Sequence, residues 1–331
     1  MNKTETKLRD VVKDLFAVEK VDLVIGYEKG SLPLRSRPCF VYSADEADRL
    51  VWNSSCTNNL AVYLPRLFER SVRPRAEYRP PKVGIVAKGC EARSVVGLVK
   101  EHQVPRENLI LIGIPCPGMV DLEKVEAVLD GVGISDGKEG PDGTLEVTTR
   151  AGEKKTLKRE EVIAEACREC PYPSPEDADV QIEGEPRRAS DERYERVRAF
   201  QIKSPEERWQ YFVAEISKCI RCYACRQACP NCYCKVCFAD QTKPRWIGAG
   251  DDLSDLMLYH IGRIFHQAGR CVECDACVRA CPMGIDLRLF TQILGKDVEE
   301  LFDYVPGLSV EDLPPLCTFK QDDSQSFITE P

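Results

Sequence analysis

The chain has 331 residues, a formal net charge of −8, 43% hydrophobic residues and 30% charged residues. These values fit a globular protein of two domains and a smaller segment, and the acidic balance excludes a general nucleic-acid binder, which needs a basic face for phosphates. No run approaches the roughly 18–20 apolar residues of a membrane span, and the start, MNKTETKLRDVVKDLF, lacks a signal peptide's apolar core and cleavage site, so the expected location is the cytoplasm.

Residues 1–18 predict an amphipathic helix with Leu8, Val11, Val12, Leu15 and Phe16 on one side. VDLVIGY (21–27) predicts a buried strand. SADEADRL (43–50) has a Ser cap and an acidic first turn, so it predicts a helix. KVGIVAKG (82–89), CEARSVVGLVKEH (90–102) and NLILIGIP (108–115) predict a strand, a helix and a strand, which is a βαβ unit with parallel pairing. DLEKVEAVL is a further helix. GVGISDGKEG (131–140) follows a helix and lacks G-x-G-x-x-G spacing, so it reads as a turn. LEVTT, RAGEK and KTLKREEVI read as a hairpin leading into a helix. Residues 171–190 are rich in Pro and charge, which puts a domain boundary near residue 195. Helical spacing resumes over 191–218, with Tyr211, Phe212 and Ile216. It returns over 251–268, where Asp caps precede Leu253, Leu256, Met257, Ile261, Ile264 and Phe265.

Eighteen cysteines are many for a cytosolic chain. Disulfides are rare in that compartment, and repeated C-x2-C units point to metal or cluster ligation. The first motif is Cys219-x2-Cys222-x2-Cys225-x3-Cys229-Pro230. The second is Cys271-x2-Cys274-x2-Cys277-x3-Cys281-Pro282. This run binds 4Fe–4S clusters in two-cluster ferredoxins, where the fourth Cys serves the other cluster. Three cysteines at two-residue gaps wrap one face of a cube, and Pro turns the chain away. Cys219, Cys222, Cys225 and Cys281 are therefore expected on one cluster, and Cys271, Cys274, Cys277 and Cys229 on the other. Zinc prefers two C-x2-C pairs and fits this pattern poorly. Cys232, Cys234 and Cys237 follow directly in CPNCYCKVC. They are open to three readings: spare buried thiols, substitutes for Cys229, or three ligands of a further cluster.

The run resembles ferredoxin-type dicluster domains. The long helical insert between the motifs is closer to the α-helical ferredoxin variety than to the compact bacterial one. The expected architecture is an α/β domain with a small mixed or parallel sheet over 1–195 and an α-helical ferredoxin-like dicluster domain over 196–302. An extended docking tail over 303–331 completes it, in which Leu308, Val310, Leu313, Leu316 and Phe319 alternate with turn residues.

Four further cysteines fall at loops. Cys90 and Cys116 sit just past strand ends, where a parallel sheet gathers its functional loops. Cys167 and Cys170 form CREC. Folded over the sheet, the four would make a pocket for a third 4Fe–4S cluster or a zinc. The helix beginning at Cys90 offers backbone N–H groups, with Lys88, Gly89 and Arg93 beside it, as an anion site for a flavin phosphate. The competing reading is that these charges pair with acids or steady the cluster. Cys39, Cys56 and Cys317 read as lone buried thiols, and His102, His260 and His266 as helix-surface residues.

In order, VDLVIGY, PCFVYSADEADRL, KVGIVAKGCEARSVVGLVKE, LILIGIPCPGM and CRECPYPSPEDADVQIEG resemble the β-subunit family of deazaflavin-coenzyme-reducing hydrogenases and dehydrogenases, which includes electron-transfer subunits of some formate dehydrogenases. The likeness covers roughly residues 20–185. It implies a 4Fe–4S site at Cys90, Cys116, Cys167 and Cys170, although KGC stands here where many members have a TPC-like turn.

The expected function is an iron–sulfur electron-transfer subunit of an anaerobic multi-subunit oxidoreductase, of formate dehydrogenase, hydrogenase or heterodisulfide reductase type. It would carry two 4Fe–4S clusters, a third in the N-terminal domain, and other subunits as partners. No nucleophile–base constellation is identifiable, so no catalytic residue is assigned. One alternative is a subunit with its own FAD, exchanging hydride with a deazaflavin or nicotinamide coenzyme. The other is a structural zinc scaffold.

Overall fold

The computed structural model describes residues 3–69, 78–140, 142–190 and 193–317. Helix α1 (Lys3–Ala17) buries Leu8, Val12 and Leu15, the expected face. Strands β1 (Leu23–Lys29) and β2 (Ser36–Val41) pair antiparallel. The segment after β2 is a 3-10 turn over Ala44–Arg49, where an α-helix was expected. Ser43 makes no side-chain cap bond and Leu50 is already extended, so the turn never propagates. After the short helix α2 (Leu64–Leu67) come β3 (Val83–Ala87), α3 (Gly89–Lys100) and β4 (Leu109–Gly113). β3 and β4 pair in parallel from Val83–Leu109 to Ala87–Gly113.

Helix α4 (Leu122–Val128) starts at Asp121, whose carboxylate accepts from the amides of Glu123 and Lys124. Then β5 (Ile134–Glu139), β6 (Thr144–Thr149) and β7 (Lys154–Lys158) form a separate antiparallel sheet. Most of the segment read as a turn is therefore a strand. Its polar composition hid it: β5 is an edge strand with no fully buried residue, and its Gly137 lies close under Leu34. Helix α5 (Glu165–Arg168) and the two-residue β8 (Val180–Gln181) follow, and β8 joins β4 in parallel. The main sheet runs β2-β1-β3-β4-β8, antiparallel only at β1–β2.

The remainder is helical: α6 (Glu195–Gln201), α7 (Pro205–Ile216), α8 (Ala224–Gln227), α9 (Leu253–His266), α10 (Ala276–Arg279) and α11 (Leu287–Phe302). α7 begins with a capping box, in which Ser204 and Glu207 exchange side-chain-to-backbone bonds ahead of Pro205. Ile216, Leu256, Tyr259, Ile264, Leu287 and Phe290 make this region's core, and Cys219, Cys225, Cys277 and Cys281 pack into it.

Buried polar bonds tie the helical region to the sheet region. Arg288 of α11 pairs with Glu169 at 2.7 Å, and Arg270 pairs with Glu101 at 2.6 Å. Arg279 donates to the carbonyl of Thr57 and Arg93 to that of Val272. The start of the expected docking tail lies on this chain's own surface. Tyr304 is buried, its hydroxyl accepts from Lys100, and the Pro306 carbonyl accepts from Arg93. Phe319 and everything after Cys317 lie outside the described residues.

One knot fixes the β3–α3 junction. Glu91 is fully buried, pairs with Lys88 at 3.0 Å, and accepts from the amide of Leu60 and the hydroxyl of Tyr27. Removing one partner of such a pair strands a buried charge, so Glu91→Ala should cost about 3–5 kcal/mol. Urea unfolding of the two proteins measures this, and a loss below about 1 kcal/mol would show that the knot does not hold the junction.

Candidate metal centres

The two cysteine motifs fold along the same path. Arg221 and Tyr223 in the first have φ of 51° and 59°; Glu273 and Asp275 at the same places in the second have 59° and 63°. These are left-handed conformations that ordinary side chains adopt at a cost of about 1–2 kcal/mol each. They fold each C-x2-C-x2-C run back on itself, so that α8 and α10 start directly after the second left-handed residue. The Arg221 amide donates to Cys219 Sγ at 3.3 Å, and the Glu273 amide bears in the same way on Cys271.

The fourth cysteines cross over. The thiols whose charges bear on Cys219 are those of Cys225, Cys281 and Cys222. Cys229 bears instead on Cys271, Cys274 and Cys277. Burial is the main influence on the second set and pushes Cys271 up to about 12. Such thiols are neutral without metal, so loading a cluster must displace their protons. Cys222 is exposed while Cys225 is buried, so the first set reaches the surface on one side.

Cys232 stands beside Cys229. Gln267 donates to Cys232 Sγ at 3.4 Å, while the Cys229 thiol lies 3.7 Å from the same amide's oxygen. The hydrogen bond from Cys229 lowers the Cys232 thiol. Cys237 lies against Arg226, and Cys234 is exposed. All of them border a cleft of about 1410 Å³ between the two regions. Its walls carry cations, among them Arg37, Arg66, Arg263 and Lys235, and the aromatic rings of Tyr63 and Phe238.

The N-terminal cysteines converge. Cys90, near the start of α3, Cys116, beyond β4, and Cys167 and Cys170, around α5, line one cavity. The Cys116 amide donates to the Pro173 carbonyl, which folds the CREC loop over the sheet. Amides of Gly118 and Met119 donate to Cys116 Sγ at 3.4 Å and Cys167 Sγ at 3.3 Å. Burial pushes all four thiols up. Val272 and Cys274 of the second motif complete the wall of this same cavity.

Lys88, Gly89 and Arg93 line that cavity too. As a separate flavin-phosphate site the helix start is filled. A Cβ on Gly89 would overlap the Tyr172 carbonyl oxygen. The Lys88 ammonium is spent on Glu91, the Tyr27 hydroxyl and the Cys56 carbonyl. Arg93 is held by two carbonyls and stacks over Tyr172. The sequence shows the charges but not the loop that covers them.

Among the described residues, no three His, Cys, Asp or Glu side chains close tightly enough to hold a single metal ion. The donors fit a larger anionic group: buried thiols ringed by backbone N–H groups and arginines. Cys39 and Cys56 are buried and Cys317 is exposed. His260 departs from its expected surface place: it is 1% exposed, edge-on to Tyr259, and burial brings it down to about 4. Arg263 and Gln267 were missed at sequence level. The available signal was their spacing, because both fall on the apolar face of α9 with Leu256, Tyr259 and Ile264.

Fold and sites together define a two-module iron–sulfur protein, an α/β domain joined to a helical domain with paired cysteine motifs. Residues 81–193 match the family described as the C terminus of the coenzyme F420 hydrogenase/dehydrogenase beta subunit, and residues 215–285 match the 4Fe-4S dicluster domain. The chain therefore carries a β-subunit domain of that family fused to a 4Fe–4S dicluster domain. It is 23% identical over 368 aligned positions, covering 93% of both chains, to the F420-dependent formate dehydrogenase subunit beta of Methanocaldococcus jannaschii. To the F420-dependent formate dehydrogenase 1 subunit beta of Methanococcus maripaludis it is 24% identical, covering 89% of both. In the xenon-derivatised F420-reducing NiFe hydrogenase complex of Methanosarcina barkeri, one chain aligns with 53% of this chain and 60% of its own length. That alignment has 14% identity and a TM-score of 0.37, too loose for a fold assignment.

The left-handed positions make a prediction about loading. Asp275→Gly should accept a full cluster complement, since Gly adopts positive φ freely. Asp275→Val should lower iron content at the second motif alone, because a β-branched residue there is a strained outlier. Equal iron content in the two variants after anaerobic reconstitution would show that the loop conformation is not what the site demands.

Proposed function

We propose that this chain is an electron-transfer subunit of an anaerobic multi-subunit oxidoreductase of the formate dehydrogenase, hydrogenase or heterodisulfide reductase type. It relays electrons between a catalytic or flavin-bearing partner and a carrier. The observation that carries the reading is the sharing of one cavity by Cys90, Cys116, Cys167 and Cys170 with Cys274 of the second motif. A relay needs its centres close together, and this wall separates two thiol sets by one loop.

In this reading Cys219, Cys222, Cys225 and Cys281 hold one 4Fe–4S cluster, Cys271, Cys274, Cys277 and Cys229 a second, and the N-terminal four a third. The clusters would supply one-electron transfer at potentials set by their surroundings. The chain's own residues hold the thiols, exclude water and place N–H donors around them. Residues 1–195 are the β-subunit-like unit and 196–302 an α-helical ferredoxin-like unit. The exposed apolar side chains of Leu258, Ile261 and Phe265 along one face of α9 support docking to another subunit. The names of the relatives support formate and F420 chemistry in the complex.

A second reading adds a flavin to this chain. The cationic, aromatic-lined cleft of about 1410 Å³ favours it, since such walls suit a phosphorylated ring cofactor. Anaerobic purification of the full chain followed by iron, sulfide, zinc and flavin analysis separates the readings. Three clusters give about twelve iron and twelve sulfide per chain. Cys219→Ser and Cys281→Ser should disable one and the same cluster, and Cys90→Ser a different one. Zinc in place of iron, or spectra in which Cys219→Ser and Cys281→Ser strike different clusters, would overturn the assignment.

A further inference from the structure

Arg263 is 4% exposed and sits on α9, the helix inserted between the two cysteine motifs. One of its N–H groups donates to the Cys225 carbonyl at 3.1 Å. Its Nε and Nη1 are buried with no hydrogen-bond partner among the described residues. The other deeply buried arginines of this region meet carboxylates: Arg288 pairs with Glu169, and Arg193 with Glu273. The negative groups that bear most on Arg263 are instead thiols: Cys277 and Cys229 from one set, Cys225 from the other, and Cys232.

A guanidinium taken out of water without an anion costs several kcal/mol, and each stranded buried N–H adds its own desolvation cost. A sequence that keeps both costs at one place has an anion in view. Four thiolates around iron and sulfide make such an anion, and the cluster sulfurs accept N–H bonds. The side chain faces cysteines of both sets, so it stands between the two sites.

We propose that Arg263 is the counter-charge shared by both clusters of the dicluster domain, a positioning residue whose one guanidinium sets two reduction potentials. The proposal rests on the cluster reading above and adds to it the residue that tunes the pair. A fixed positive charge favours the more negative, reduced state of each cluster, so it raises both potentials. It also lowers the barrier to having both clusters reduced at once, by screening one negative charge from the other.

The test uses the full chain, purified anaerobically as wild type, Arg263→Gln and Arg263→Lys. Iron and sulfide are counted, and potentials are read by redox titration followed by electron paramagnetic resonance. The glutamine variant should show both dicluster potentials displaced downward, and the lysine variant, which keeps the charge, should stay nearer wild type. Unchanged potentials in Arg263→Gln, or a shift confined to one cluster, would overturn the shared counter-charge. If Arg263→Gln loses its clusters, lysine decides: retention in Arg263→Lys supports the charge, and equal loss in both makes Arg263 a packing residue only. A wild-type chain lacking the dicluster's roughly eight iron would bring down the cluster reading itself, which the metal count shows separately.

Discussion

Four ordinary side chains held at positive φ set the terms for the rest of the helical region. Arg221, Tyr223, Glu273 and Asp275 adopt a conformation that costs free energy in any chain, so something must hold each one there. Arg221 is held by the carbonyls of Gly248 and Gly250. Glu273 is held by Arg193 at 2.6 Å and by Gln292. Tyr223 packs edge-on against Tyr259 of the inserted helix. The support comes from α9, α11 and the loop ahead of α9. The insert between the motifs is thus a brace for the cysteine loops as well as a spacer. Its removal would leave the same cysteine spacing with nothing to keep the loops bent.

The same economy appears where the two regions meet. Glu169 lies between Cys167 and Cys170, and it receives Arg288 and Gln292 from α11. Gln292 also reaches Glu273, in the loop of the second motif. A short chain of buried bonds therefore runs from the N-terminal cysteine loop to the dicluster loop. Relative movement of the two would break bonds to charged groups, each worth about 1.5–3 kcal/mol. That stiffness suits centres whose separation must stay fixed.

Much of this was legible in the sequence because the signals were of a strong kind. Cysteine spacing is a covalent ruler, and the βαβ unit carries unbroken apolar runs from Val83 and Leu109. What was hidden depended on distant chain. β5 has too little apolar character to announce a strand, and it exists because β6 offers it partners. β8 is two residues long, paired to β4 only because the loop after CREC returns there. Lys88, Gly89 and Arg93 look like an anion site until the Tyr172 loop closes over them. His260 looks like a surface residue until α9 is packed on both sides.

The charge balance of the whole chain runs opposite to that of its interior. The formal net charge is −8, yet Arg93, Arg263 and Arg288 are each less than a tenth exposed, while few carboxylates are as deeply buried. An acidic protein gains nothing in solubility from cations it hides. Arginine is chosen over lysine because its planar fork stays charged and can donate in several directions at once. Arg93 at the N-terminal cavity and Arg263 at the dicluster each keep an N–H group without a protein partner. Two such orphans at two separate thiol sets follow one rule. Each set of buried cysteines comes with a buried arginine whose remaining donors face what the thiols hold.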